Sequence, residues 1–477
     1  MKANLLKGSI TYGAVTIFSR VAAIILIPIL TRLLSPDEYG ALSIIITVVQ
    51  LANFIVTLEV AQAVTYFFTD RERADRNWYP ATGFWFSLGL YIIFILLFLL
   101  FGSLISDHIA EMHIGKPMLV SGTLLLAANG VFLFVQNQLR LEFKSKQYAA
   151  VSIGYVILIS VGAIFGALYF EQRSTGVILG QAIGAGLVDI IGVVLLWHRL
   201  KIGVNVQKLK QMLKFSLPLV PAGLLLLGGQ QVPKLILSIY GNLEDVGIYG
   251  LASQIAGFAG LAILGVQTAI TPSILANHHL EDTPKALGKL FEDFAIVSLL
   301  FCGFLSIYAH ELVLVFSTSS YASAASYIPF ISFSIALNSL YIFFPGKIIR
   351  GKSAAQLYAS GGGFTVAVIS GFVLTSLYGI WGAAVSTVLS ALTFISIWYY
   401  ISQKLYALPI HWFVILKAIV ITLVVCIVAA FLLPSGFLWY SLLLKAGLLA
   451  LFVYLIAKEK ILLLWRRYLG PKSANGS

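Results

Sequence analysis

Charge is what this sequence has least of. Asp, Glu, Lys and Arg together make up 10% of its 477 residues, against about 25% in soluble domains. Too few ionised side chains remain to cover a water-facing globule, which excludes a soluble enzyme or binding module. Cysteine is nearly absent. Cys302 and Cys426 lie far apart, each inside an apolar run, which excludes a disulfide scaffold and favours two small core residues. Seven histidines are scattered, with His278-His279 as the only adjacent pair, and no D-x-D pair occurs. No metal-ligand pattern or catalytic constellation follows from them, and no cofactor is expected. Long polar segments are also missing, so no soluble domain fits between the apolar stretches. After Lys2 and Lys7, the first apolar run is too long for a signal-peptide core and lacks an A-x-A site, which reads as a permanent anchor.

What is present is hydrocarbon. Hydrophobic residues make up 59% and the mean hydropathy is +0.95. A bilayer core needs about 20 apolar residues per helix, and lipid cannot satisfy exposed backbone, so the spans are helices. Fourteen are expected, at 9–33, 39–66, 80–104, 118–138, 149–170, 175–197, 213–240, 246–274, 292–309, 326–346, 356–377, 379–401, 412–433 and 438–457. With that count, all but six of the 31 Lys and Arg residues fall on the side of the N-terminus, the exceptions being Arg20, Arg32, Lys116, Arg173, Lys234 and Lys445. The positive-inside rule makes that side cytoplasmic and puts both termini there. The net charge of +12 is thereby a topology signal rather than a nucleic-acid footprint, with membrane lipid as the natural neighbour of the basic face.

The chain repeats itself. Tyr39-Gly40 in "PDEYGAL" matches Tyr249-Gly250 in "LEDVGIYGLA", and Arg140, Tyr148 and Ala149 match Arg350, Tyr358 and Ala359, all at an offset of 210. "GVILGQAIGAG" loosely matches "GIWGAAVSTV". The order suggests a duplication of six spans, and an even number gives both copies one orientation, a parallel repeat of the kind transporters use. The expected fold is an all-α integral membrane protein: a six-helix lobe over 1–212, a second over 213–405, two additional helices over 406–458 and a cytoplasmic tail over 459–477.

Charges inside spans are costly and mark candidate sites. Arg20 lies about 16 Å into its span at 1.5 Å per residue. It shares a small or polar stripe with Thr16, which fits either an internal ion pair or a cationic substrate contact. Lys234 follows Gln230 and Gln231 in a span rich in Pro and Gly. It either binds substrate or reaches outward to the interface. Asp189 could pair with Arg20, carry a proton or bind a cation, and Glu59 is the second candidate for ion coupling. Lys445 is expected to reach outward. Arg140, Arg350 and Lys352 are candidates for a cytoplasmic entrance. "GKIIRGKS" (346–353) matches a phosphate-loop pattern, but that mechanism needs a strand before it and an α/β domain around it, and membrane spans flank it instead.

The hairpin "PILTRLLSPDEYGALSII", with "FSLPLVPAGLL", "LEDVGIYGLASQIA" and "LYGIWGAAVSTVLS", resembles the Wzx-type polysaccharide flippases of the multidrug/oligosaccharidyl-lipid/polysaccharide exporter superfamily. One departure is Pro233-Lys234 where family members often carry Asp-Arg. The resemblance implies two six-helix lobes around a central cavity, and an undecaprenyl-diphosphate-linked oligosaccharide flipped outward across a bacterial inner membrane. Arg20 and Lys234 would then meet the diphosphate, and a polymerase and glycosyltransferases would be neighbours in the pathway. A monomer is expected, as one chain completes the cavity. The competing readings are a cation- or proton-coupled drug antiporter, which should favour acidic cavity residues, and a membrane polymerase or ligase, which should carry a catalytic exterior loop.

Overall fold

The computed structural model describes residues 2–69, 75–108, 114–200, 202–260, 280, 282–345, 354–431 and 439–468. Among them, eleven helices are long and apolar enough to cross a membrane, or twelve if one bent pair counts as a span. The chain is a multi-pass, all-α membrane protein. It divides into two compact units, Met1–Gly250 and Leu251–Ser477.

Unit 1 contains α1 (Lys2–Leu33), α2 (Pro36–Thr57), α3 (Val60–Thr69), α4 (Trp78–His108), α5 (Lys116–Leu141), α6 (Ser145–Tyr169), α7 (Arg173–Leu196), α8 (Val206–Ser216) and α9 (Leu219–Tyr240), and most of α10 (Leu243–Ala256). Helix starts follow local chemistry. Ser35 and Glu38 form a reciprocal capping box ahead of Pro36, the Glu38 carboxylate accepting from the Ser35 N–H at 2.9 Å. Arg173 donates to the Leu33 carbonyl at 2.7 Å, satisfying the end of α1. Asn242 and Asp245 repeat the reciprocal box ahead of α10. These two boxes align Gly40 with Gly247, three residues off the Tyr-Gly register read from the sequence. The contacts agree with that alignment. A Cβ on Gly40 would stand 1.9 Å from the Leu243 carbonyl oxygen, and one on Gly247 would stand 1.9 Å from that of Pro36.

The α6–α7 hairpin is closer still. A Cβ on Gly180 would stand 1.9 Å from the Gly162 carbonyl oxygen, and one on Gly166 1.9 Å from that of Gly176. Such backbone contact is how helices associate where lipid supplies no hydrophobic drive. Two expected spans are interrupted. The second breaks at Leu58 and Glu59, with φ of 48° and 55°, a strained pair of non-glycine residues between α2 and α3. The seventh begins only at α9, because Pro218 and Pro221 prevent α8 from continuing into it. Helix α8 is instead amphipathic. It buries Met212, and Gln211 accepts a hydrogen bond from Tyr79 at 2.6 Å.

Unit 2 contains the end of α10 and then α11 (Thr283–Ile307), α12 (Ala309–Phe316), a 3₁₀ turn (Ser319–Ser326), α13 (Ile328–Ser339), a second 3₁₀ turn (Leu340–Phe343), α14 (Ala354–Tyr378), α15 (Ile380–Leu405), α16 (Trp412–Phe431) and α17 (Trp439–Tyr468). The first 3₁₀ turn and the helical segment after it form the pair bent by 50°. Cys302 and Cys426 are both free and buried, and converge on the Pro329 carbonyl at 4.0 and 3.8 Å. Lys445 does not reach outward. It is fully buried, with Nζ 2.6 Å from Glu311 Oε1 on α12, because α17 brings it against a carboxylate that is itself only 5% exposed. The 346–353 segment, with Arg350 and Lys352, lies outside the described residues.

Candidate functional site

Unit 1 holds a polar cavity of about 710 Å³, within the range of about 300–1,000 Å³ usual for ligand sites. Helices α2 to α6 wall it, and Leu227 of α9 completes it. Six carboxamides line it: Gln50, Asn53, Gln62, Asn129, Gln136 and Asn137. Helical periodicity places them. Asn129, Gln136, Asn137 and Arg140 recur at spacings of seven, one and three, so α5 presents them on one face. From Asn129 to Arg140 that face runs about 16 Å along the helix. Gln50 and Asn53 share a face of α2 in the same way, and the break at Leu58–Glu59 re-aims the chain so that Gln62 and Thr65 of α3 continue the wall.

The polar groups are held in place. Tyr91 donates to Asn53 Oδ1 at 2.9 Å, and Tyr155 donates to Asn129 Oδ1. Gln136 Nε2 donates to the fully buried Ser152 at 2.9 Å. Asn137 donates to Thr65 at 2.8 Å and accepts from Arg140 at 2.7 Å. Tyr148 lines the cavity and is braced edge-on by Tyr12, with ring centroids 4.7 Å apart.

Of the sequence candidates, Glu59 and Arg140 line this cavity. Asp189 on α7 sits behind it. It is 8% exposed, close enough to act electrostatically on Tyr91 and Tyr155, and its Oδ1 is buried with no hydrogen-bond partner among the described residues. The other candidates are not gathered here. Arg20 and Thr16 are exposed on α1, with Thr16 Oγ1 donating to its own helix at Tyr12. Lys234 donates to Ser43 on α2 at 3.1 Å. Gln230 is exposed and Gln231 half-buried. The sequence singles out uncharged polar residues only where they flank Arg20 or Lys234, so these six carboxamides carry no mark of that kind, although their helical spacing is visible.

Just beyond the cavity's basic end, Glu142 follows α5. Its side chain is 5% exposed, 2.9 Å from Lys144 and 3.3 Å from Arg199. Burial pushes its carboxyl up, but hydrogen bonds from Gln138 and Lys144 and the Lys144 and Arg199 charges outweigh this and hold it below its ordinary value. The cluster ties the α5–α6 turn to the end of α7.

The sequence profile of polysaccharide biosynthesis proteins matches residues 29–326, more than half of the chain. The chain belongs to this family. Its fold is shared with transporters of known structure. A lipid II flippase, MurJ, in an inward closed conformation superposes with a TM-score of 0.71 at 12% identity, covering 95% of this chain and 100% of that one. An inward-facing multidrug resistance MATE transporter of the MOP superfamily gives 0.61 at 14%, covering 81% and 94%. A variant of the Vibrio cholerae MATE transporter VcmN gives 0.60 at 13%, covering 85% and 98%. No curated protein is a significant match. At these identities the likeness establishes the fold, and the family membership agrees with the resemblance carried by the hairpin motifs.

Proposed function

We propose that this protein flips a lipid-linked oligosaccharide, of the undecaprenyl-diphosphate type, from the cytoplasmic to the outer leaflet for cell-surface polysaccharide assembly. Family membership supports the polysaccharide context, and the fold shared with a lipid II flippase supports movement of a lipid-linked sugar. The observation that carries the reading is the carboxamide-lined cavity inside a membrane unit, a polar space that a lipid-facing helix bundle has no packing reason to keep. The protein exchanges between states open to either face, and the prenyl tail stays in lipid. Arg20 and Lys234 lower the cost of the diphosphate, and Arg140, Arg350 and Lys352 meet it at the entrance. Expelling an anionic head group from a negative interior is favoured by about 2.3 kcal/mol per charge at 100 mV. Asp189 and Glu59 are the groups that would couple a counter-ion.

The drug-antiporter reading fits the cavity less well, because the described wall carries one carboxyl, Glu59, and one guanidinium, Arg140, and so no excess of negative charge to hold an organic cation. The test is translocation of a fluorescent prenyl-diphosphate sugar in liposomes. Arg20→Ala should abolish it and Arg20→Lys restore part of it. Normal flipping by a well-folded Arg20→Ala protein would remove Arg20 from the head-group path. Ethidium export without lipid movement would replace this function with the antiporter.

A further inference from the structure

The flippase reading leaves open which part of the substrate the cavity takes. We propose that it is the glycan subsite, built for neutral or N-acetylated sugar rings rather than for the diphosphate. The proposal rests on the flippase reading and sharpens it.

The first argument is valence. A sugar ring offers hydroxyls that both donate and accept, and a carboxamide offers a donor and an acceptor side by side. Here one end of three carboxamides is already spent on the protein. Asn53 and Asn129 are tied through Oδ1 to Tyr91 and Tyr155, and Gln136 through Nε2 to Ser152. Among the described residues the opposite ends of these three side chains have no protein partner. Each is oriented by its bond and keeps one group for a ligand, which is how a site is pre-organised. Gln50 spends neither end on a described side chain, and Gln62 spends its donor on the Glu59 carboxylate. Asn137, with both ends used, positions Arg140.

The second argument is charge. Among the described residues of the wall, Glu59 supplies the one carboxyl and Arg140 the one cation, so the cavity presents many dipoles and no excess of either sign. A diphosphate calls for converging cations, and an organic cation for converging carboxylates. Neither is present among the described residues of the wall. The third is shape. The face from Asn129 to Arg140 runs about 16 Å, long enough for more than one ring. Tyr91, Tyr148, Phe54 and Phe134 line the same space, supplying the flat apolar surfaces on which the C–H face of a pyranose packs. The amides at Asn53 and Asn129 thereby become specificity residues: a sugar lacking the matching hydroxyl would leave them buried and unpaired.

The experiment uses the full-length protein in nanodiscs and saturation-transfer NMR with chitobiose and maltose, with ethidium as a comparison ligand and inorganic pyrophosphate followed by its ³¹P line broadening. At least one disaccharide should receive saturation on its ring protons at up to about 50 mM, a concentration that fills a millimolar site. Asn53→Leu and Asn129→Leu should each weaken it by about five- to tenfold, with Gly154→Ala, which meets nothing within 4 Å, as the unaffected control. Pyrophosphate binding should not change in either leucine variant. If a leucine variant does not fold, Asn129→Asp takes its place, since it keeps the shape and removes the donor. Absence of saturation for both disaccharides in the wild-type protein, or loss of ethidium or pyrophosphate binding in the leucine variants, overturns the glycan subsite. Translocation of a fluorescent undecaprenyl-diphosphate N-acetylglucosamine, measured on the same preparation, separates the two levels. Movement without disaccharide binding keeps the flippase and removes this subsite. Disaccharide binding that is lost in the variants, without movement, keeps the subsite and removes the flippase.

Discussion

Lys445 and Glu311 give unit 2 a test with a magnitude. Nζ lies 2.6 Å from Oε1, and at an effective dielectric constant of 20 that separation corresponds to about 6 kcal/mol of attraction. Against it stands several kcal/mol of desolvation for each ion. Both residues are at most 5% exposed, and Glu311 Oε2 has no hydrogen-bond partner among the described residues. The two sides of this balance nearly cancel, so the pair adds little net stability, while either ion alone is stranded. Lys445→Met or Glu311→Leu singly should therefore cost about 3–5 kcal/mol. For a unit of this size that lowers the unfolding midpoint by about 6–20 °C, at about 2–4 °C per kcal/mol. The double variant, with both ions replaced by apolar groups, should recover most of the loss. The assay is thermal unfolding in detergent followed by fluorescence-detected size exclusion, for wild type, both single variants and the double. Single variants indistinguishable from wild type would show that water reaches the pair. A double variant as unstable as the sum of the singles would show that each residue acts separately and that the pairing argument is wrong.

Gly180→Leu should collapse the α6–α7 hairpin and the yield of folded protein, since its Cβ would stand 1.9 Å from a backbone oxygen. Gly186→Ala, with nothing within 4 Å, should be tolerated in the same expression and unfolding assay. Glu142→Gln should lower stability at pH 7 by about 1.5 kcal/mol, the low end for a hydrogen-bonded charged group. The sign with pH follows from the folded carboxyl titrating below its ordinary value of 4.5. The contribution is complete above that value and disappears as pH falls through the folded value. The gap in unfolding midpoint between wild type and Glu142→Gln should accordingly close on acidification, and a gap constant down to the acid limit would refute the assignment.

Several features were legible because they depend on local chemistry. Long charge-poor runs at bilayer length specify spans whatever they pack against. "SPDE" specifies a helix start because Ser35 and Glu38 need only each other. The basic bias of one set of loops specifies which loops share a side. The family resemblance lay in short motifs of the same local kind. Other features were hidden because nothing local encodes them. Leu58 and Glu59 carry positive φ with no glycine or proline nearby to announce it, and the surrounding packing imposes it. Lys445 read as an interfacial lysine, since its partner lies 134 residues away. The repeat register shifted by three once the reciprocal caps and the facing Gly40 and Gly247 were visible.

The candidate site divides along the same line. A charge inside an apolar run is conspicuous alone, so Glu59 and Asp189 stood out, and Arg140 did so through the basic stretch that repeats at Arg350. A lone Asn or Gln costs less to bury and signals less, so the carboxamides did not. By itself the sequence determined that the chain is helical, that it crosses a membrane many times, and where most helices begin, because those outcomes depend on hydrophobicity, backbone satisfaction and contacts within a few residues. Only the tertiary structure decided which polar groups meet. A cavity walled by five helices exists through distances between residues far apart in the chain, and packing alone sets those distances.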